Sequence, residues 1–169
     1  MMRRMNGVRW FAYGLGLFVL YLLGATPGLF PAVKGVLPVP LAAAVLTVAM
    51  FESELPGMAF GIFAGVLMDF GMGSVMGFHG VLLAVLCFAV SWLCRNLFKV
   101  NFLTCAVLVL AGTGILFAVQ WLFFTVFAGQ AGAGYIFWRY IVPRVLYSSL
   151  FCAPAYPVIK ALFNATAAE

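Results

Sequence analysis

Long apolar runs, separated by short stretches rich in proline, glycine or charge, make up most of this chain. Such runs predict membrane-spanning helices, since about 20 apolar residues cross a bilayer. The run over 40–51 is short for a span, and three prolines interrupt the last run, where kinks are expected. The pattern predicts about six transmembrane helices, over residues 8–24, 40–51, 55–70, 78–94, 102–127 and 136–162.

The composition agrees with that pattern. The 169 residues are 66% hydrophobic and only 8% charged, with a mean hydropathy of +1.17, whereas soluble domains carry about 25% charged residues. A chain of this length cannot bury so much apolar surface in its own core, so the remainder must face lipid. We expect residues 1–169 to form a single polytopic, all-α transmembrane domain whose first helix is not cleaved as a signal peptide.

The net charge of +5 comes from basic residues placed near the ends of the apolar runs. This distribution is typical of topology signals rather than of a patch that binds nucleic acid, so no nucleic-acid partner is expected. With six spans and a cytoplasmic N-terminus, both termini are cytoplasmic. The basic residues predicted on that side are Arg3, Arg4, Arg9, Arg95, Lys99 and Lys160.

One apolar segment carries three glycines and an aspartate at four-residue spacing: Gly57, Gly61, Gly65 and Asp69. Residues four apart stack on one side of a helix, drifting by about 40° per step. The glycines therefore open a groove that ends at the carboxylate. In a membrane such a groove allows close approach of another helix, either from the same chain or from a partner protein.

Asp69 has two interpretations of similar weight. It either caps the end of a short helix at headgroup level, or meets a donor such as a backbone N–H, His79, Arg139 or Arg144, because intramembrane acids find partners. A proton-coupling role lacks a second membrane acid. Gln120, with Arg139 and Arg144, is a candidate polar seam between helices, and His79 is expected to be hydrogen-bonded near the interface.

The motifs that mark common catalytic and metal sites are missing from the sequence. There is no P-loop, HExxH or GxSxG pattern, a single histidine, and no CxxC pair. We therefore predict no enzyme activity, no cofactor and no metal site. The four cysteines are predicted to be small buried hydrophobic residues: Cys87, Cys94, Cys105 and Cys152.

The segment Pro56–Leu93 resembles the bacterial rod-shape-determining MreD family. Members of that family carry a GxxxGLxxD helix, a short glycine-containing linker and a GxxAL start to the next helix. Val66 stands where leucine is usual, and Gly80 where the family often has alanine. The resemblance covers about a quarter of the chain and rests on Gly61, Gly65, Asp69, Gly73, Gly77 and His79.

The resemblance implies a non-enzymatic scaffold or regulatory subunit of the cell-elongation complex in the bacterial cytoplasmic membrane. Such a subunit binds an MreC-like bitopic protein and supports peptidoglycan synthesis along the lateral wall. It acts indirectly with a RodA-type glycosyltransferase, its transpeptidase and the actin-like MreB filament. The family's fold is similar to that of substrate-binding subunits of energy-coupling-factor transporters, so vitamin capture in a small polar pocket is the alternative function.

Overall fold

The computed structural model describes residues 2–26, 28, 35–72, 76–97, 100–129 and 132–167. Two residues singled out above, Gly73 and Lys99, lie outside these ranges, and the side chains of Arg3 and Arg4 are not described.

Within the described ranges the chain is all-helical, and no strand is present there. A π-helical turn over Leu122–Val126 extends the fifth helix, and another over Phe137–Ile141 joins the sixth to the seventh. The helices are α1 (Met2–Ala25), α2 (Pro40–Phe51), α3 (Glu54–Met72), α4 (Phe78–Asn96), α5 (Phe102–Trp121), α6 (Ala133–Ile136), α7 (Val142–Leu150) and α8 (Cys152–Ala167).

By length and composition, five stretches of the described chain are suited to crossing a membrane. They coincide with five of the six predicted spans. The last one runs from α6 through α8 and contains Pro143 near the start of α7 and Pro157 inside α8. The five stretches are Gly7–Ala25, Glu54–Gly71, Phe78–Asn96, Phe102–Val126 and Gly134–Ala165.

The predicted second span is not among these five stretches, because α2 is a short helix in the centre of the bundle. Its 12 residues extend about 18 Å, well below the roughly 30 Å of a bilayer core. Every residue from Pro40 to Met50 is buried, and α2 packs against α1, α3, α4, α5, α7 and α8. A helix that is apolar on all sides is kept from water, here by the helices packed around it, and the alanines at 42–44 let its neighbours approach closely.

Two ion pairs and a ring contact gather several helix ends at one end of the bundle. Arg9 Nε lies 2.8 Å from a Glu52 carboxylate oxygen, and Arg95 Nη1 lies 2.8 Å from Glu54. The Arg9 guanidinium also lies 5.2 Å from the centre of the Phe163 ring. We call this end of the bundle the Arg9 end. It contains the start of α1, the α2–α3 turn, the end of α4 and the last turns of α8.

Candidate functional site: the capped α3–α4 helix pair

The glycine stripe of α3 lies in the interface with other helices of the same chain. A Cβ added to Gly61 would come within 2.6 Å of the Leu83 carbonyl oxygen on α4. One on Gly65 would collide with the backbone of Gly80, and one on Gly57 with the Ser91 hydroxyl. The groove predicted from the sequence is thus filled by α4, with backbone against backbone.

Ser91 is a polar residue of this interface that sequence reasoning did not single out. Its hydroxyl donates a 2.6 Å hydrogen bond to the Ala49 carbonyl of α2, and the side chain is fully buried. The signal that could have identified it is a lone serine within an apolar helix, level with a glycine on the preceding helix. Gly57 leaves room for Ser91, and the bond ties α4 to the central helix.

Asp69 caps the start of α4. At the end of α3, opposite the Arg9 end, its carboxylate accepts hydrogen bonds from the backbone N–H of Gly77 at 2.8 Å and of His79 at 3.3 Å. The first N–H groups of a helix lack partners within it, and a carboxylate there also interacts favourably with the helix dipole. Gly77 is the N-cap residue, with a positive φ of 94° that favours glycine. The acceptor that an N-cap side chain normally supplies comes instead from the preceding helix.

The His79 ring completes this arrangement. Its Nδ1 lies 2.7 Å from Asp69 Oδ1, and the two residues are 0% and 2% exposed. The neighbouring Phe78 packs edge-to-face against the rings of Phe123 and Phe124 beyond α5. The aspartate–histidine pair is therefore enclosed in protein, where it links the end of α3 to the start of α4.

The three residues of the predicted polar seam lie in different environments. Arg139 is exposed in the π-helical turn before α7, and Gln120 is half-buried near the end of α5. Arg144 lies on α7 with its guanidinium 4.7 Å from the centre of the Phe117 ring, a distance suited to a cation–π interaction. One turn further along α7, the Ser148 hydroxyl accepts a 2.9 Å hydrogen bond from the Val39 N–H and holds the start of α2.

At the Arg9 end, Glu52 forms a buried polar cluster with side chains of α1. Glu52 is 5% exposed, is paired with Arg9 and accepts a 3.4 Å hydrogen bond from the Trp10 indole. Burial raises the pKa of Glu52, and the Arg9 charge opposes that shift. Arg9 and Trp10 lie on another helix, so no local pattern around Glu52 signals this contact.

Two clefts border the central helix. The first, of about 280 Å³, lies between α1 and α8 and is lined by apolar surface including Gly16 and Val158. The second, of about 210 Å³, is lined by Arg144, Tyr21 and the segment before α2; we call it the Arg144 cleft. Within the described part of the chain, neither cleft is lined by Asp69, His79, Gln120 or Arg139.

These features define an all-helical protein with the length, composition and packing of a polytopic membrane protein. None of the protein-family models, curated proteins or solved structures compared with this chain matches it. In the described ranges, no group of three or more His, Cys, Asp or Glu residues is arranged to hold a metal ion.

Proposed function

We propose that this protein is a non-catalytic subunit of the cell-elongation complex in the bacterial cytoplasmic membrane, where it binds an MreC-like single-span protein. The observation that carries the proposal is the role of the residues in the MreD-like segment. Gly61 and Gly65 bring the α3 and α4 backbones together, and Asp69, Gly77 and His79 close the turn between them. Such a rigid hairpin suits a scaffold, which must present fixed helix faces to its partners.

Since α4 fills the α3 groove, the partner helix needs another face, and α1 is the best candidate. Among the five candidate spans, the α1 window has the smallest buried share, at 11%. Gly7 and Gly14 lie seven residues apart on one face of α1, and no described atom lies within 4 Å of the position that a Cβ would take at either. Two open glycines allow a partner backbone to approach closely.

The proposed orientation places the Arg9 end in the cytoplasm. Arg9 and Arg95 lie at that end, and Lys160 contacts the Tyr156 ring on α8, the helix that ends there. An excess of arginine and lysine on one side marks the cytoplasmic face of membrane proteins. The MreB filament and the enzymes of wall synthesis would then act on opposite sides of the same subunit.

Co-purification from native membranes tests the proposal. An affinity-tagged protein is expected to recover a single-span membrane protein, and Gly14→Leu is expected to reduce recovery at least about five-fold, equivalent to about 1 kcal/mol of lost packing. Gly134→Leu is the matched control, because Gly134 also has no described atom within 4 Å of its Cβ position. Equal recovery by both variants would exclude the α1 face, and the absence of any single-span protein would contradict the scaffold function.

The alternative, a vitamin-binding transporter subunit, requires several polar groups that converge on one pocket. Among the polar candidates Asp69, His79, Gln120, Arg139 and Arg144, the last is the one that lines a cleft in the described structure. Mass spectrometry of the purified protein distinguishes the two functions. A stoichiometric small molecule that resists washing would favour the transporter subunit.

A further inference from the structure

We infer that the α1–α8 cleft and the Arg144 cleft together bind one anionic diacyl phospholipid, with an acyl chain in the first and the phosphate headgroup in the second. Leu20 and Pro40 line both clefts, so the two spaces adjoin at the start of α2. A lipid is the ligand whose apolar and charged parts lie side by side in this way. The inference is independent of the proposed scaffold function.

The α1–α8 cleft has the chemistry and length of an acyl-chain site. Its lining is apolar and comes from α1, α8 and the buried face of α2. Gly16 contributes backbone only, and no described atom lies within 4 Å of its Cβ position. Along α1 the lining extends from Leu20 to Ala12, about 12 Å at 1.5 Å per residue. One leaflet of a bilayer core is about 15 Å thick, so the cleft matches a single acyl chain.

The Arg144 cleft supplies the charge that an anionic headgroup needs. Arg144 is the charged side chain in its described lining, beside Tyr21 and Gly24 of α1. Those residues lie in the last turns of α1, at the end of its candidate span, and the ends of a span are where headgroups are expected. The planar guanidinium forms paired hydrogen bonds with phosphate oxygens, and the contact with the Phe117 ring limits its freedom to move.

Charge complementarity selects an anionic lipid rather than a zwitterionic one. The Arg144 cleft is lined by the last turns of α1 and the start of α2, at the end of the bundle opposite the Arg9 end. The lipid therefore belongs to the leaflet opposite the Arg9 end. A basic residue near the membrane surface contributes about 1 kcal/mol to the binding of an anionic lipid, which predicts a preference of about five-fold.

Native mass spectrometry of the intact protein tests this site with phosphatidylglycerol and phosphatidylcholine of identical acyl chains. The wild-type protein is expected to retain phosphatidylglycerol about five-fold better. Arg144→Gln is expected to abolish that preference while leaving phosphatidylcholine binding in place, and Arg144→Lys to keep most of it. Arg139→Gln is the control, because Arg139 is an exposed arginine of the same span.

The tail cleft is tested separately by Gly16→Leu, which adds bulk at a lining position where a Cβ meets no described atom within 4 Å and is expected to lower retention of both lipids. Gly134→Leu, an equally open glycine outside the cleft lining, is expected to leave retention unchanged. Circular dichroism checks that each variant is folded. A phosphatidylglycerol preference that survives Arg144→Gln in folded protein, or equal retention by the two leucine variants, overturns the inference. Displacement of the lipid by inorganic phosphate alone would instead indicate a small-anion site and overturn it as well.

Discussion

Replacing Asp69 with alanine is expected to destabilise the protein strongly, because one carboxylate holds two helices together. The change removes two short hydrogen bonds, of 2.8 Å from Gly77 and 2.7 Å from the His79 ring, and one longer bond of 3.3 Å. Hydrogen bonds to a charged group contribute about 1.5–3 kcal/mol each, and the long one little. We therefore expect a loss of about 3 kcal/mol in the free energy of unfolding.

That figure is far above what an ordinary contact between membrane helices gives. Side-chain hydrogen bonds between such helices average about 0.6 kcal/mol, because the separated helices find other partners. The first N–H groups of α4 have no partner within their own helix. When Asp69 is removed, no other group in the helix replaces the hydrogen bonds that it accepted. A loss below about 1 kcal/mol would place Asp69 among ordinary interhelical contacts and refute the capping argument.

The assay is unfolding in mixed micelles by titration with sodium dodecyl sulfate, followed by the helical circular dichroism signal. Glu54→Gln is the matched control, because it removes a carboxylate at the other end of α3 from a partly exposed pair with Arg95, and such pairs contribute little. Hydrogen exchange adds a local readout. The amides of Gly77 and His79 are expected to lose protection in Asp69→Ala, and unchanged protection would contradict the structure.

Two further predictions concern the α3 stripe and the Arg9 end. Gly61→Ala places a Cβ within 2.6 Å of the Leu83 oxygen, so it is expected to lower the free energy of unfolding by about 1–3 kcal/mol. Gly14→Ala, the control, is expected to raise it slightly. Equal effects of the two variants in the same titration would rule out close packing at Gly61. Burial raises the pKa of Glu52 above its ordinary 4.5, so the folded state binds this proton more tightly. Stability should therefore fall as pH rises from 4.5 through the raised pKa. Arg9→Gln should move this fall, measured as melting temperature, to higher pH. Identical curves of melting temperature against pH for both proteins would contradict the pairing.

The positions of α2 and α4 were readily predicted from the sequence. Proline, glycine and charged residues interrupt the apolar runs in this chain, so the predicted 40–51 and 78–94 agree with α2 (Pro40–Phe51) and α4 (Phe78–Asn96) within two residues at each end. What the pattern could not supply is which side of each helix faces protein. In a membrane, lipid-facing and core-facing side chains are both apolar, so hydropathy does not separate them.

The same limitation explains what was missed at the candidate site. The spacing of Gly61, Gly65 and Asp69 indicated close packing but left open which helix fills the groove, because a glycine has no side chain that would indicate its partner. The cap on α4 depends on residues brought together across the turn between α3 and α4. The depth of Glu52 depends on Arg9 and Trp10 from another helix, and no local pattern encodes that contact.

The central position of α2 has a consequence for biosynthesis. A 12-residue helix is too short to be stable alone as a span, and the helices that enclose it include α8, which is synthesised after α1 to α7. Until α8 arrives, the side of α2 that it covers stays open to lipid and to the wrong neighbours. Ribosome-bound chains that lack α8 should therefore be far more sensitive to membrane proteases than the completed chain.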